Sequence, residues 1–124
     1  MTTFKRLSIL LHIYKMNIEE LRDYVLQKPS VTEGFPFGED TLVFKVKDKI
    51  FLLTGLESDP LQFNVKCDPD KAIELREEYP GSVLPGYHMN KKHWNTVIID
   101  GVLSKKQLKE MVDNSYNLVN KTKK

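Results

Sequence analysis

Leu61-Gln62-Phe63-Asn64-Val65-Lys66-Cys67 is the stretch that decides the fold class. In an extended chain successive side chains point to opposite faces. Leu61, Phe63, Val65 and Cys67 therefore share one face, and Gln62, Asn64 and Lys66 share the other. A strand with one apolar and one polar side belongs in a sheet covered on one side only, the usual state of an antiparallel sheet. Immediately upstream, Thr41–Val46 and Lys49–Thr54 flank Lys47-Asp48, which predicts a tight hairpin. Before the hairpin, Gly34, Pro36 and Gly38 mark a turn-rich stretch.

Downstream, Asp68-Pro69 predicts a helix start, with Asp68 as N-cap and Pro69 in the first helical position. Ala72, Ile73 and Leu75 form its apolar side, and Tyr79-Pro80-Gly81 stops it. Val83–Met89 and Trp94–Ile99 are strand candidates around the polar turn Asn90-Lys91-Lys92. Ser104 and Gln107 have capping-box spacing ahead of a last helix carrying Leu108, Met111 and Val112 and continuing through Leu118 and Val119. At the other end of the chain, Asn17 caps a first helix. Ile18, Leu21 and Val25 form its apolar stripe, and Glu19, Glu20 and Asp23 lie in its first turns, where the dipole favours acids. That helix should stop near Lys28, because Pro29 disfavours helical geometry before it.

The order is helix, three strands, helix, further strands, helix. It predicts one α+β domain, an antiparallel sheet with helices packed on one face. Short hairpins leave no room for the crossovers of a parallel sheet. The length of 124 residues suits one core, and the domain is expected over residues 16–120. Residues 121–124 are read as a basic tail. Residues 1–15 are read as an extension or a mis-assigned start, since Met16 opens the first helix signature. Their apolar run Leu7–Tyr14 is far short of the ~20 residues that span a bilayer.

Charge divides along the chain. Residues 1–15 hold three bases and no acid, residues 16–90 hold 8 bases and 14 acids, and residues 91–124 hold 8 bases and 3 acids. The division predicts two differently charged faces. The sequence pI of 8.6 nonetheless lies below the ~9 typical of a committed nucleic-acid binder.

The chain contains no P-loop, dinucleotide fingerprint, nucleophile elbow or His-Glu-x-x-His motif. One cysteine, Cys67, excludes an internal disulfide, and its apolar parity predicts burial as a small hydrophobe. His12, His88 and His93 lack converging partners, so neither metal nor cofactor is expected. Glu19, Glu20 and Asp23 form a conceivable cation ridge, but dipole complementarity already explains them. No nucleophile–base pair is visible, and no enzyme is expected.

The polar side of the sheet is the candidate surface. Gln62, Asn64 and Lys66 project together, with Lys45, Thr41 and Thr54 expected to join them. Lys47 and the pair Lys91-Lys92 occupy turns that could flank the sheet as wings. Tyr87 to Asn95 interleaves aromatic, basic and amide side chains, including His93, Trp94 and Asn95, a composition suited to phosphate contact and base stacking. The same lysines would also serve to keep edge strands from aggregating. Pattern alone leaves Trp94 either in the core or on this surface.

Phe35-Pro36-Phe37-Gly38, Lys49-Ile50-Phe51, Lys66-Cys67-Asp68-Pro69, Pro85-Gly86-Tyr87-His88, Lys92-His93-Trp94-Asn95-Thr96 and Ser115-Tyr116 occur in an order that resembles the MmcQ/YjbR family. The resemblance spans roughly Met16 to Asn120. It implies a CyaY-like α+β fold and a double-wing DNA-binding role. The expectation is a cytoplasmic, monomeric, non-enzymatic protein with DNA as partner and no membrane attachment. Lys45, Lys47, Lys66, Lys91 and Lys92 would contact phosphates, while Asn64, His93, Trp94 and Asn95 would stack or hydrogen-bond. Five phosphate contacts imply a log–log salt slope of about −4 to −5. The alternative is a protein-interaction or small-ligand module using the same face around Trp94 and Tyr87.

Overall fold

The computed structural model describes residues 15–121 other than His88. The readings on residues 1–14, on His88 and on residues 122–124 lie outside that range. Helix α1 (Ile18–Leu26) begins in a complete capping box. The Glu20 amide donates to Asn17 Oδ1 at 2.8 Å, and the Asn17 amide donates to Glu20 Oε1 at 3.3 Å. It ends at Leu26, two residues before the expected stop.

Next comes β1 (Val31–Gly34), a strand inside the stretch expected to be turn. Its four residues carry no alternation of their own. They become a strand only by pairing with β2 (Thr41–Val46), Val31 opposite Val46 and Gly34 opposite Val43. Strands β2 and β3 (Lys49–Gly55) form the expected hairpin. Lys47 and Asp48 both have positive φ, 54° and 63°, as a type I′ turn requires. Then follow β4 (Gln62–Lys66), α2 (Pro69–Glu78), β5 (Val83–Pro85), β6 (Trp94–Ile98) and α3 (Lys105–Asn120). The fifth strand stops at Pro85, four residues short of expectation. The Asp68 side chain makes no capping hydrogen bond, so Pro69 alone marks that helix start. The capping box of Ser104 and Gln107 is present, at 2.8 and 3.1 Å.

The six strands form one antiparallel sheet in the order β1-β2-β3-β4-β6-β5. Leu21 and Val25 of α1 and Leu108, Val112 and Val119 of α3 share one buried cluster with Phe44, Phe51, Leu52, Phe63, Val65 and Val97 of the sheet. The helices thus cover one side, as the parity of residues 61–67 requires. On α2, Ala72 is buried, but Ile73 is 51% exposed rather than part of the apolar side.

A bulge in β3 shapes the core. Phe44 pairs with Leu52 but Lys45 pairs with Ile50, so Phe51 has no partner in β2. Both Phe51 and Leu52 are buried in the core, and the Phe51 ring meets Tyr116 edge-on at 5.3 Å. Tyr116 also donates its hydroxyl to the Pro29 carbonyl at 2.6 Å, which ties α3 to the end of α1.

Candidate functional site

The register places the side chains of the face turned away from the helices in three cross-strand rows, among which Val43 and Thr96 are themselves buried. The first is broken at the β3 bulge, with Lys45 beside Ile50 on one side and Lys66 beside Trp94 on the other; Val43, Leu53, Asn64, Thr96 and Leu84 form the second, and Thr41, Gly55, Gln62 and Ile98 the third. Neighbours in a row sit about 5 Å apart, and successive rows are about 7 Å apart along a strand. Gln62, Asn64, Lys66 and Lys45 therefore share this face, as the alternation predicts, and all four are partly exposed. Trp94 joins them opposite Lys66, half-buried, which settles the parity the pattern left open.

Two expected members of the surface, Thr54 and Asn95, lie on the covered face, and a third, Lys47, sits on its expected turn but is tied to a helix end. Thr54 pairs with Phe63 and Leu42, faces the helices at 2% exposure, and donates its hydroxyl to the Gln62 carbonyl at 2.7 Å. Asn95 has the opposite parity to Trp94 and is 1% exposed beneath α2. Its Oδ1 accepts from Arg76 Nε at 2.7 Å and its Nδ2 donates to the Ala72 carbonyl at 3.5 Å. Buried and hydrogen-bonded, it has nothing to offer an outside molecule. Lys47 sits on an exposed turn, but its ammonium donates to the Asn120 carbonyl at 2.7 Å, at the negative end of α3.

The Lys91-Lys92 turn adjoins the row of Lys66 and Trp94. Asn90 organises it: its Oδ1 accepts from the Lys92 amide at 3.0 Å, and its carbonyl from the His93 and Trp94 amides. Arg76 holds the turn by donating to the Lys91 carbonyl. Lys91 and Lys92 are exposed, while His93 is partly buried and accepts from the Cys67 amide through its carbonyl at 2.7 Å. Arg76 was not singled out from the sequence, and no local pattern around it signals this role.

Beside the basic row the face is concave. A cavity of about 530 Å³ is lined by Phe37, Thr41, Leu53, Gly55, Ser58, Gln62, Phe63, Asn64, Tyr87 and Met89. Its floor is β3 and β4. Phe37 enters from the loop before β2 and Tyr87 from the β5–β6 connection, on the opposite side of that floor. Both rings are prominently exposed, 65% and 66%. A hydrogen-bonded chain fixes the Tyr87 backbone over the sheet: its amide donates to Thr96 Oγ1 at 3.0 Å, and that hydroxyl donates to Asn64 Oδ1 at 2.5 Å. Gly86 makes the crossing possible. A Cβ there would lie 2.7 Å from Trp94 Cβ.

The loops that adjoin Thr41 and Ser58, at the other end of the cavity, are acidic. The Leu56 amide donates to the Asp40 carbonyl at 2.8 Å, which brings together two loops bearing Glu39, Asp40, Glu57 and Asp59. The open face therefore runs from lysines at one end to carboxylates at the other.

Elsewhere, the acidic ridge of α1 is partly committed. Glu20 closes the capping box and accepts from Lys105 Nζ at 2.8 Å, and this bond holds its carboxyl below the usual range. Among the described residues no group of three or more His, Cys, Asp or Glu side chains is arranged to hold a metal ion. Burial pushes the Cys67 thiol up, in keeping with an inert core residue. Among the described residues no helix is long and apolar enough to cross a membrane.

Comparison with known proteins places this architecture. The YjbR family profile matches residues 26–118. The uncharacterised protein YbdF of Escherichia coli O157:H7 is 40% identical over 102 residues, 82% of each chain. The uncharacterised protein YjbR of Escherichia coli K12 is 33% identical over 101 residues, 82% of this chain and 85% of its own. Among solved structures, the DUF419-domain protein DR2400 of Deinococcus radiodurans superposes with a TM-score of 0.83 at 42% identity. That alignment covers 88% of this chain and 81% of that one. A Pseudomonas syringae protein superposes at 0.71 and 28% identity, over 84% of this chain and 99% of its own. The α+β sheet with its helices on one side, and a sequence match across most of the chain, establish that this protein belongs to the YjbR family.

Proposed function

We propose that this protein is a non-enzymatic DNA-binding module that uses the uncovered face of its sheet. One observation carries the reading: Lys66 and Trp94 stand opposite each other on that face, Lys45 belongs to the same face two strands away, and Lys91 and Lys92 stand in the loop beside Trp94. Lysines supply the sequence-independent phosphate attraction, and the indole gives a base a flat surface to stack on. Lys47 and Asn95 leave the set for the reasons above, and four phosphate-contacting lysines remain.

Fluorescence anisotropy with labelled oligonucleotides at several salt concentrations tests this. Four contacts give a log–log slope of about −3 to −4. Lys66→Ala and Lys91→Ala should each weaken binding and flatten the slope by roughly one contact. Lys47→Ala should leave affinity unchanged, because that ammonium is occupied at the end of α3. An affinity indifferent to salt, or none at all, defeats the proposal. Salt-indifferent capture of a protein or small molecule, lost on Trp94→Ala but not on Lys91→Ala, would favour an interaction module instead.

A further inference from the structure

Building on that DNA-binding reading, we infer that the groove between Phe37 and Tyr87 receives an unstacked nucleobase of single-stranded DNA, whose phosphates lie on the lysines of the same face. The groove has the volume of a small-molecule site, about 530 Å³. Two strongly exposed aromatic rings border it, an arrangement that aqueous burial alone would not favour but that stacking on a base would use.

Its floor carries hydrogen-bonding groups suited to a base edge. The Asn64 carbonyl oxygen is taken by Thr96, so Asn64 presents its NH₂ as donor. Gln62, one row further, lines the same cavity and adds an amide donor and acceptor. Base edges exposed by unpairing present complementary acceptors and donors.

Charge sets the orientation. Lys66 lies two residues from Asn64 on the same strand face, about 7 Å away, close enough to hold the phosphate of a base seated over Asn64. The far end bears Glu39, Asp40, Glu57 and Asp59, which repel phosphate. That charge gradient favours an uncharged base over a phosphate between the two ends. A duplex keeps its bases paired and stacked, so the groove favours the single strand.

The test uses the full chain and three labelled probes of about 12 nucleotides: a single strand, its duplex, and the same strand made of abasic residues. The base-bearing strand should bind at least roughly tenfold tighter than either other probe. Phe37→Ala and Tyr87→Ala should each cost it roughly 5- to 150-fold while leaving the abasic strand unaffected. Both side chains are exposed, so the variants should fold, which circular dichroism would verify. If the abasic strand or the duplex binds as well as the base-bearing strand, or the variants weaken all probes equally, base insertion is overturned while salt-dependent DNA binding stands. If no probe binds, both fall.

Discussion

Ser115 on α3 completes the sheet at Lys66. The Lys66 amide donates to Ser115 Oγ at 2.8 Å, and the Ser115 hydroxyl donates onward to the Phe51 carbonyl. In the register of β3 and β4, Phe51 would stand opposite Lys66, but the bulge at Phe51 carries the carbonyl out of direct reach. A helix hydroxyl therefore takes the place of one rung of the ladder. The same contact fixes the end of β4 that presents Lys66 to the open face.

Ser115→Ala should destabilise the fold by about 2–3 kcal/mol, because Ser115 is fully buried and its loss leaves a backbone donor and acceptor without partners. Urea denaturation would register this as a lower midpoint. A midpoint equal to that of the unmodified protein would mean that water or a backbone shift makes good the missing rung.

Gly86→Ala should both destabilise the domain and disturb the groove. The added methyl would lie 2.7 Å from Trp94 Cβ and 3.0 Å from the Trp94 carbonyl oxygen, and the Gly86 amide donates to that same oxygen at 2.9 Å. The β5–β6 connection must move, at a cost of about 1–3 kcal/mol. Amide resonances of Tyr87 and Thr96 should shift more than those of α1. An undisturbed spectrum would show that the crossing has slack.

Acid should weaken the link between α1 and α3. Folding lowers the Glu20 carboxyl below its ordinary 4.5, chiefly through the hydrogen bond from Lys105, with the Asn17 amide helping and burial opposing. A lowered native value means that the unfolded chain binds the proton more readily. The contribution is therefore fully present above the ordinary value and is lost as pH falls through the native one. The stability difference between the unmodified protein and Lys105→Ala should shrink as pH drops from about 6 to about 3. A difference that stays constant over that range would assign the effect of Lys105 to packing instead. The pair is partly exposed, so added salt should also reduce it.

Features that depend on near neighbours along the chain were legible from residue order. The alternation at 61–67 announces a half-covered sheet, Asn17 as a cap and the spacing of Ser104 and Gln107 announce two helix starts, and Lys47-Asp48 announces a hairpin. Each is a local pattern that operates within about one turn of chain. Thr54 misled for a related reason: a hydroxyl reads as polar, yet it fits a covered face once it finds a carbonyl within its own sheet. Strand β1 escaped notice because Val31–Gly34 has no periodicity until β2 lies beside it.

The amino-acid sequence by itself determined the α+β class, the hairpin, the caps and which residues of β4 meet the helices, because these follow from backbone geometry and the parity of nearby side chains. Tertiary structure alone decided that Asn95 is buried under Arg76 while Trp94 faces outward, that Ser115 stands in for a rung, and that Phe37 and Tyr87 border one groove. Those outcomes depend on strand register and on contacts between segments tens of residues apart. No window of the chain contains both partners, so only the folded molecule brings them together.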